Sequence, residues 1–506
     1  MESNNKRIVK NTFLLYGRMI VVLFISLYTT RIVLKNLGIS DYGIYNVVAG
    51  FVSMFAFLNT SLINTIQRFL NVEKGKGSLD GIIEVFRTSI IIQALVALII
   101  FGILEVFGTW YINHIMVVPE DRLFTTNIVY QCSVASLILL VVQIPYSSAI
   151  VSYEKMDFFA IVSVFDALFK LLIVILLPYL GHDRLIVYGF LMLGISIIDY
   201  VLYFGYVRMR IPELKFSFII NRSRFKSMLS FSGWNVFESV AYTAQGQGLN
   251  MIINAFFGIV VNASRGVAFQ IQSAIYSFSV NIGTAFKPQL TEACAKNDYY
   301  RTNFLFYSMT KICFFMQIVL SLPIIFEMDC VLKIWLGNNI PEYSKVFTIL
   351  VLVNSIVGSI NLPISQVAQA TGNIKKYQVF RSVLVFMVLP VSYLFLYLCP
   401  LPELVFYVTL LVTVVLQPLS LYLLSKVYHL SISDYLHRVI IPIFLFTSLL
   451  LVSLYAITAV FSNLSYRFII TGLVDFSIGL MGGYLLLLTN DEREMVKRFI
   501  KSKINK

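Results

Sequence analysis

VLKNLGI at residues 33–39 and INAFFGI at 253–259 fall on one another when the chain is slid along itself by 220 residues, each closing one long apolar run. The first leads into SDYGIYNVVAGF (40–51), and the correspondence continues into the run that follows. There Asn46, Gly50, Ser53, Phe57, Ser61 and Asn64 recur at steps of three and four, as do Gly266, Gln270, Ser273, Ser277, Asn281 and Thr284 in the later copy. Such steps put residues on one face of an α-helix, so both runs read as helices with a small or polar stripe. A shift of 218 aligns QIPYS (143–147) with NLPIS (361–365), placing Pro145 and Pro363 late in the fourth and tenth apolar runs. The repeated unit is six helices.

Lipid is the solvent these helices require. Of the 506 residues 58% are hydrophobic and 13% charged, whereas about a quarter of a soluble domain is charged. Apolar stretches recur between short polar connections, and a helix needs about 20 residues to cross the hydrocarbon core. Spans are expected at 12–34, 42–69, 82–109, 124–151, 158–180, 184–206, 231–256, 263–290, 303–326, 346–371, 377–399, 402–425, 438–460 and 466–489. The fold class is an all-α polytopic membrane protein of about 14 transmembrane helices. Because the repeat holds an even number of spans, its copies share an orientation and form two pseudo-symmetric six-helix lobes about an axis along the membrane normal, with two C-terminal helices added. The division is an N-lobe at 1–210, a basic cytoplasmic linker at 211–230, a C-lobe at 231–428, and a last helix pair with a basic tail at 429–506.

Most of the 39 Lys and Arg fall in connections on the N-terminal side, which places both termini in the cytoplasm. The densest clusters are Arg208–Lys226 and Arg493–Lys506. The net charge of +13 is thereby a mark of topology and of contact with anionic lipid, not of nucleic acid. Connections on the outer side are short, which argues against a glycan polymerase or ligase with a large outer domain. Five scattered cysteines show neither disulfide nor metal-ligand spacing. No phosphate-binding loop, no HExxH and no catalytic histidine arrangement occurs, so no catalytic residue, cofactor or metal is expected.

Intramembrane charges cost at least ~2.5 to 3.5 kcal/mol each at mid-depth and call for a partner or a function. Arg18 is the leading substrate ligand, since a guanidinium keeps its charge and offers a planar fork of donors to a phosphate. The 220-residue shift sets Glu238 opposite it, so the two are expected to pair across a central cavity. Arg68 continues the second span's stripe, Arg265 opens the eighth span, and Arg31 shares Arg18's cavity only if the first helix bends. The seventh span carries Asn235, Glu238, Tyr242 and Gln245 on one face and Asn250 on an adjoining one. With Asn64 and Gln270 from the two stripes, these side chains are read as cavity lining; close helix packing accounts for the small residues but less well for the amides. Asp166 and Lys170 stand one turn apart and neutralise each other, as do Glu84 and Arg87. Asp199 and Asp475 have no partner nearby in sequence and are candidate proton or sodium sites.

LKNLGISDYGIYNVVAGF (34–51) and NTIQRF (64–69), with the 6 + 6 + 2 pattern, resemble the polysaccharide-export branch of the multidrug/oligosaccharidyl-lipid/polysaccharide (MATE-like) superfamily, the Wzx-type O-antigen and capsule-unit flippases. The resemblance implies two lobes in a V, alternating access, a bacterial inner-membrane location and an undecaprenyl-pyrophosphate-linked oligosaccharide as cargo, for lipopolysaccharide or capsule synthesis. It also leaves room for a proton or sodium gradient as the driving partner. The competing expectation is a cation-coupled drug antiporter of the multidrug and toxin extrusion type, whose cavity should favour acidic residues.

Overall fold

The computed structural model describes residues 2–53, 55–114, 119–180, 183–214, 221–337, 340–428, 430–460, 467–489 and 492–494. All regular structure among them is helical. Contacts divide the chain into two units, Val9–Ser239 and Val240–Lys506 with Met1–Ile8. The first contains nearly all of α1 (Glu2–Ser53), α2 (Ala56–Lys76), α3 (Leu79–Ile103), α4 (Leu123–Ser152), α5 (Met156–Leu176), α6 (Arg184–Arg210) and the opening turns of α7 (Arg222–Ala295). The second contains the rest of α7, then α8 (Tyr299–Phe326), α9 (Met328–Leu336), α10 (Ser344–Gly358), α11 (Asn361–Thr371), α12 (Lys375–Leu398), α13 (Leu404–Val427), α14 (Ile441–Val460) and α15 (Arg467–Gly482).

Ten helices among the described residues are long and apolar enough to cross a membrane. They coincide with the expected spans at 82–109, 124–151, 158–180, 184–206, 303–326, 346–371, 377–399, 402–425, 438–460 and 466–489. The other four expected spans lie in α1, α2 and α7, where the structure differs from the sequence reading. The first two were expected to break near 35–41, but helix runs through to Ser53. That stretch has no proline to deny the helix a donor. The seventh and eighth spans also form one assignment, interrupted at Gly258, whose φ of 77° and ψ of −173° are open essentially to glycine alone. Gly258 is the residue that the 220-residue shift aligns with Gly38. The tenth span divides into α10 and α11 because Pro363 has no N–H to give the carbonyl of Ser359.

Local signals set other boundaries. Ser78 caps α3 by accepting from the Gly81 N–H at 3.1 Å, just after Gly77 closes α2 in the left-handed region. The core of the first unit gathers Val33, Ile100, Leu104, Tyr130, Val134 and Val141. Tyr130 donates its hydroxyl to the Leu104 carbonyl at 2.6 Å, where α3 opens into a π-turn. The second unit packs Ile253, Phe347, Val388 and Phe406, with the Phe347 and Phe406 rings 4.4 Å apart. Residues 222–230, read from sequence as the end of the basic linker, form the first turns of α7, and Arg224 there pairs with Glu73 at 2.8 Å and Glu84 at 3.3 Å. Glu84 therefore takes a partner far along the chain in place of Arg87.

Candidate functional site

A polar cavity of the first unit is bordered by α5 and α6. Asp166 and Lys170 lie one turn apart on α5, 2.8 Å from each other, as their spacing requires. On α6 the steps Ser196, Asp199, Tyr203 form one face, and it is turned toward α5. Asp166 and Lys170 are the charged groups that act on Asp199. Like charges on neighbouring helices repel, so the two carboxyl groups suit a proton or cation held between them. They border a cavity of about 430 Å³ to which α4 adds Ser133, Ser136 and Gln143 and α1 adds Tyr45. Its mixture of hydroxyl, amide and charged groups suits water, a small cation or an exchanging proton, and its volume leaves room for several waters.

Arg18 reaches this group from α1. Its guanidinium lies 4.6 Å above the Phe159 ring, and Tyr203 and Asp166 are the groups acting on its charge. Nε is buried without a hydrogen-bond partner among the described residues. The expected pair with Glu238 is not formed: among the described residues Asp166 is the acid near Arg18. The shift placed the two at equivalent depth, but Arg18 turns toward α5 and α6, where an aromatic face receives it.

The stripe on α2 meets the first turns of α7. Ser61 and Ser239 share a hydrogen bond at 2.7 Å, and the Thr65 hydroxyl accepts from Ser232 at 3.1 Å and from Asn235 at 3.4 Å. Phe69 and Phe231 meet edge to face, and Arg68 stands 4.8 Å from each ring. Asn235, read from sequence as cavity lining, is buried in this packing. Asn64 and Glu238 are half-buried alongside.

In the second unit Arg265 donates to the Gly246 carbonyl at 2.8 Å and to Asn250 Oδ1 at 3.3 Å, with its guanidinium 4.4 Å above Phe269. Arg265 and Asn250, predicted separately, are thus brought together. Gln245 is half-buried, and Gln270 is exposed with Gly266 and Ser273 on the same stripe. The side chain of Arg31 lies outside the described residues, as do those of Asn46 and Gly50. One arginine escaped the sequence reading. Arg381 of α12 is buried and donates to Asn361 at 2.5 Å, Tyr377 at 2.6 Å and the Tyr242 hydroxyl at 2.8 Å. Its signal was being the one charge in the run 377–399.

Charges beyond the spans are firmly held. Burial opposes the charge of Asp183, yet hydrogen bonds from Thr125 and the Leu185 N–H, with the Arg122 guanidinium, outweigh it and hold the carboxyl below its ordinary range. Arg122 also binds Asp41, its Nε 3.1 Å from Oδ1. Glu73 is likewise held low against its burial by hydrogen bonds from Arg224 and Lys76.

No family model and no curated protein sequence matches the chain. Solved structures do. A MATE protein in complex with MaD3S superposes with a TM-score of 0.72 at 12% identity, covering 84% of this chain and 97% of that one. The fold is MATE-like. An outward-facing multidrug resistance MATE transporter of the MOP superfamily gives 0.70 at 13% identity, with 84% and 97% covered. A MOP superfamily transporter from Pyrococcus furiosus, described as having a binding pocket of reverse polarity that suggests a different function, gives 0.70 at 12% identity, with 82% and 95% covered. At such identities the likeness shows the MATE-like fold alone. That fold and the ten apolar helices make this a multi-pass membrane protein, with the bilayer as its setting.

Proposed function

We propose that the protein is a flippase that moves an undecaprenyl-pyrophosphate-linked oligosaccharide across a bacterial inner membrane by alternating access, with both termini cytoplasmic. Arg265 carries this reading. Its guanidinium is held by a carbonyl, an amide and an aromatic ring, without a carboxylate among the described residues to balance its charge. A permanent cation left so at the edge of an apolar span, beside the exposed Gln270, suits an anionic group presented by the cargo. Pyrophosphate supplies the anion, and the amides and tyrosines supply hydrogen bonds and ring faces for sugars. Arg18, Arg68, Arg31, Asn64, Glu238, Gln245 and Asn250 are the further proposed cargo-contacting residues, on lobes at 1–210 and 231–428 joined by 211–230, with 429–506 as the added helix pair. The Asp166–Asp199 pair is the proposed coupling group for a proton or sodium gradient.

The same acidic pair favours a second reading, cation-coupled drug antiport, because acidic groups suit cationic cargo. Reconstitution into liposomes separates the two. A flippase moves a pyrophosphate-linked oligosaccharide and not a cationic dye, and Arg265→Ala lowers that movement at unchanged protein level while Arg265→Lys restores part of it. Dye movement without glycolipid movement gives the protein to the second reading.

A further inference from the structure

The last helix pair carries a buried acid that the preceding reading does not use. Asp475 lies near the middle of α15, is 0% exposed, and among the described residues has a hydrogen-bond partner for neither carboxyl oxygen. Three contacts fix how α15 runs against α8. Thr471 donates to Glu327, just past the end of α8, at 3.0 Å. A Cβ on Gly479 would stand 3.0 Å from Val319, and one on Gly483 2.7 Å from Phe315. Each step of four along α15 is thus answered by a step of four backwards along α8. Asp475, midway between Thr471 and Gly479, falls level with Pro323. Proline has no N–H, so this turn of α8 leaves the Val319 carbonyl without its helical donor.

Other charges stand apart and are already paired. Glu327 binds Arg467 at 2.7 Å at one end of the packing, and Lys311 binds Glu492 at 2.6 Å at the other. α14, the third helix of the group, has no charged residue, and its Tyr455 is exposed. Among the described residues an ionised carboxylate at Asp475 would have no donor and no cation. A neutral acid needs only one acceptor, and the neighbouring helix offers one.

We propose that Asp475 is a proton-binding site: its carboxyl is held as the neutral acid, donates its O–H to the Val319 carbonyl freed by Pro323, and unseats α15 from α8 when the proton leaves. The glycines at 479, 482 and 483 bring the helices together closely enough to exclude water, so proton release requires that this packing open. The ligand is a proton alone, and the site is independent of which cargo the transporter carries.

Infrared difference spectroscopy on the reconstituted protein tests it. At neutral pH the wild type should show a C=O stretch of a protonated carboxylic acid, slow to shift in deuterium oxide, which Asp475→Asn loses and Asp199→Asn keeps. The thermal midpoint of the wild type should fall as pH is raised through the alkaline range, while that of Asp475→Asn stays flat. A wild-type spectrum without the band overturns the proposal whatever the variants do, as does a band that survives in Asp475→Asn or a midpoint profile that the two proteins share. Pro323→Ala returns the donor to Val319 and leaves the acid in place. It should move the band to the higher frequency of a weaker hydrogen bond, and an unmoved band rejects the Val319 contact.

Discussion

Asp199 and Asp475 are the same object in the sequence, a lone acid in an apolar run, and different objects in the fold. Asp199 gains Asp166 and, through it, Lys170, all facing a cavity of about 430 Å³. Asp475 gains burial between helices and, among the described residues, no charged partner. An acid's burial cost depends on what the neighbouring helices bring to it, and spacing along one helix reports only that helix's share. A third arrangement, Lys311 with Glu492, is also buried but paired.

The largest effect expected from contrasting the three is on the dry pair. Lys311→Met strands the Glu492 carboxylate and should cost about 3 to 5 kcal/mol, read as a lowered thermal midpoint. If it costs no more than Asp475→Asn, paired and unpaired burial are not distinct here. Next is Gly479→Val, which pushes α15 off Val319 and should cost about 1 to 3 kcal/mol. It should also speed deuterium exchange at the Asp475 carboxyl, and unchanged exchange would mean that tight packing is not what keeps water out. Asp166→Asn breaks an ion pair whose lysine is 43% exposed, so its stability cost should stay within about 1 kcal/mol. Transport should nevertheless lose pH dependence, and a wild-type profile would remove the acidic pair from coupling. The smallest effect belongs to Asp183, outside the spans. Its folded carboxyl titrates below its unfolded one, so its stabilisation is complete above the ordinary carboxylate range and fades as pH falls through the folded value. Asp183→Asn should lower the thermal midpoint slightly at neutral pH and meet the wild type as pH falls through the folded value, which flattens the acid limb of the profile.

How much of this was legible varies with the range of the interaction. Ten spans were readable because about 20 apolar residues in a row have few other uses. The Asp166–Lys170 pair was readable because both groups stand on one helix. Arg381 was not, since Asn361 and Tyr242 come from other helices. Nor was the Arg224–Glu84 pair, for the same reason. The duplication placed the end of the seventh run in the segment 253–259 that holds Gly258 but misjudged Arg18, because equal depth does not settle which way a side chain turns. The polar stripe on α2 was also only half informative. Periodicity found the face, while Thr65 and Asn235 show that part of it serves hydrogen-bonded packing.

Gly258 bears on how the chain enters the membrane at all. A straight helix of the 74 residues from Arg222 to Ala295 would be about 110 Å long, several times the hydrocarbon thickness. The corner at Gly258 divides it into two stretches that a translocation machine can admit one after the other as a hairpin. The residue is thus a decision point in biogenesis: a side chain there penalises the turn before any cargo is met, and the first sign of damage would be a shortage of correctly inserted protein, ahead of any slowing of transport.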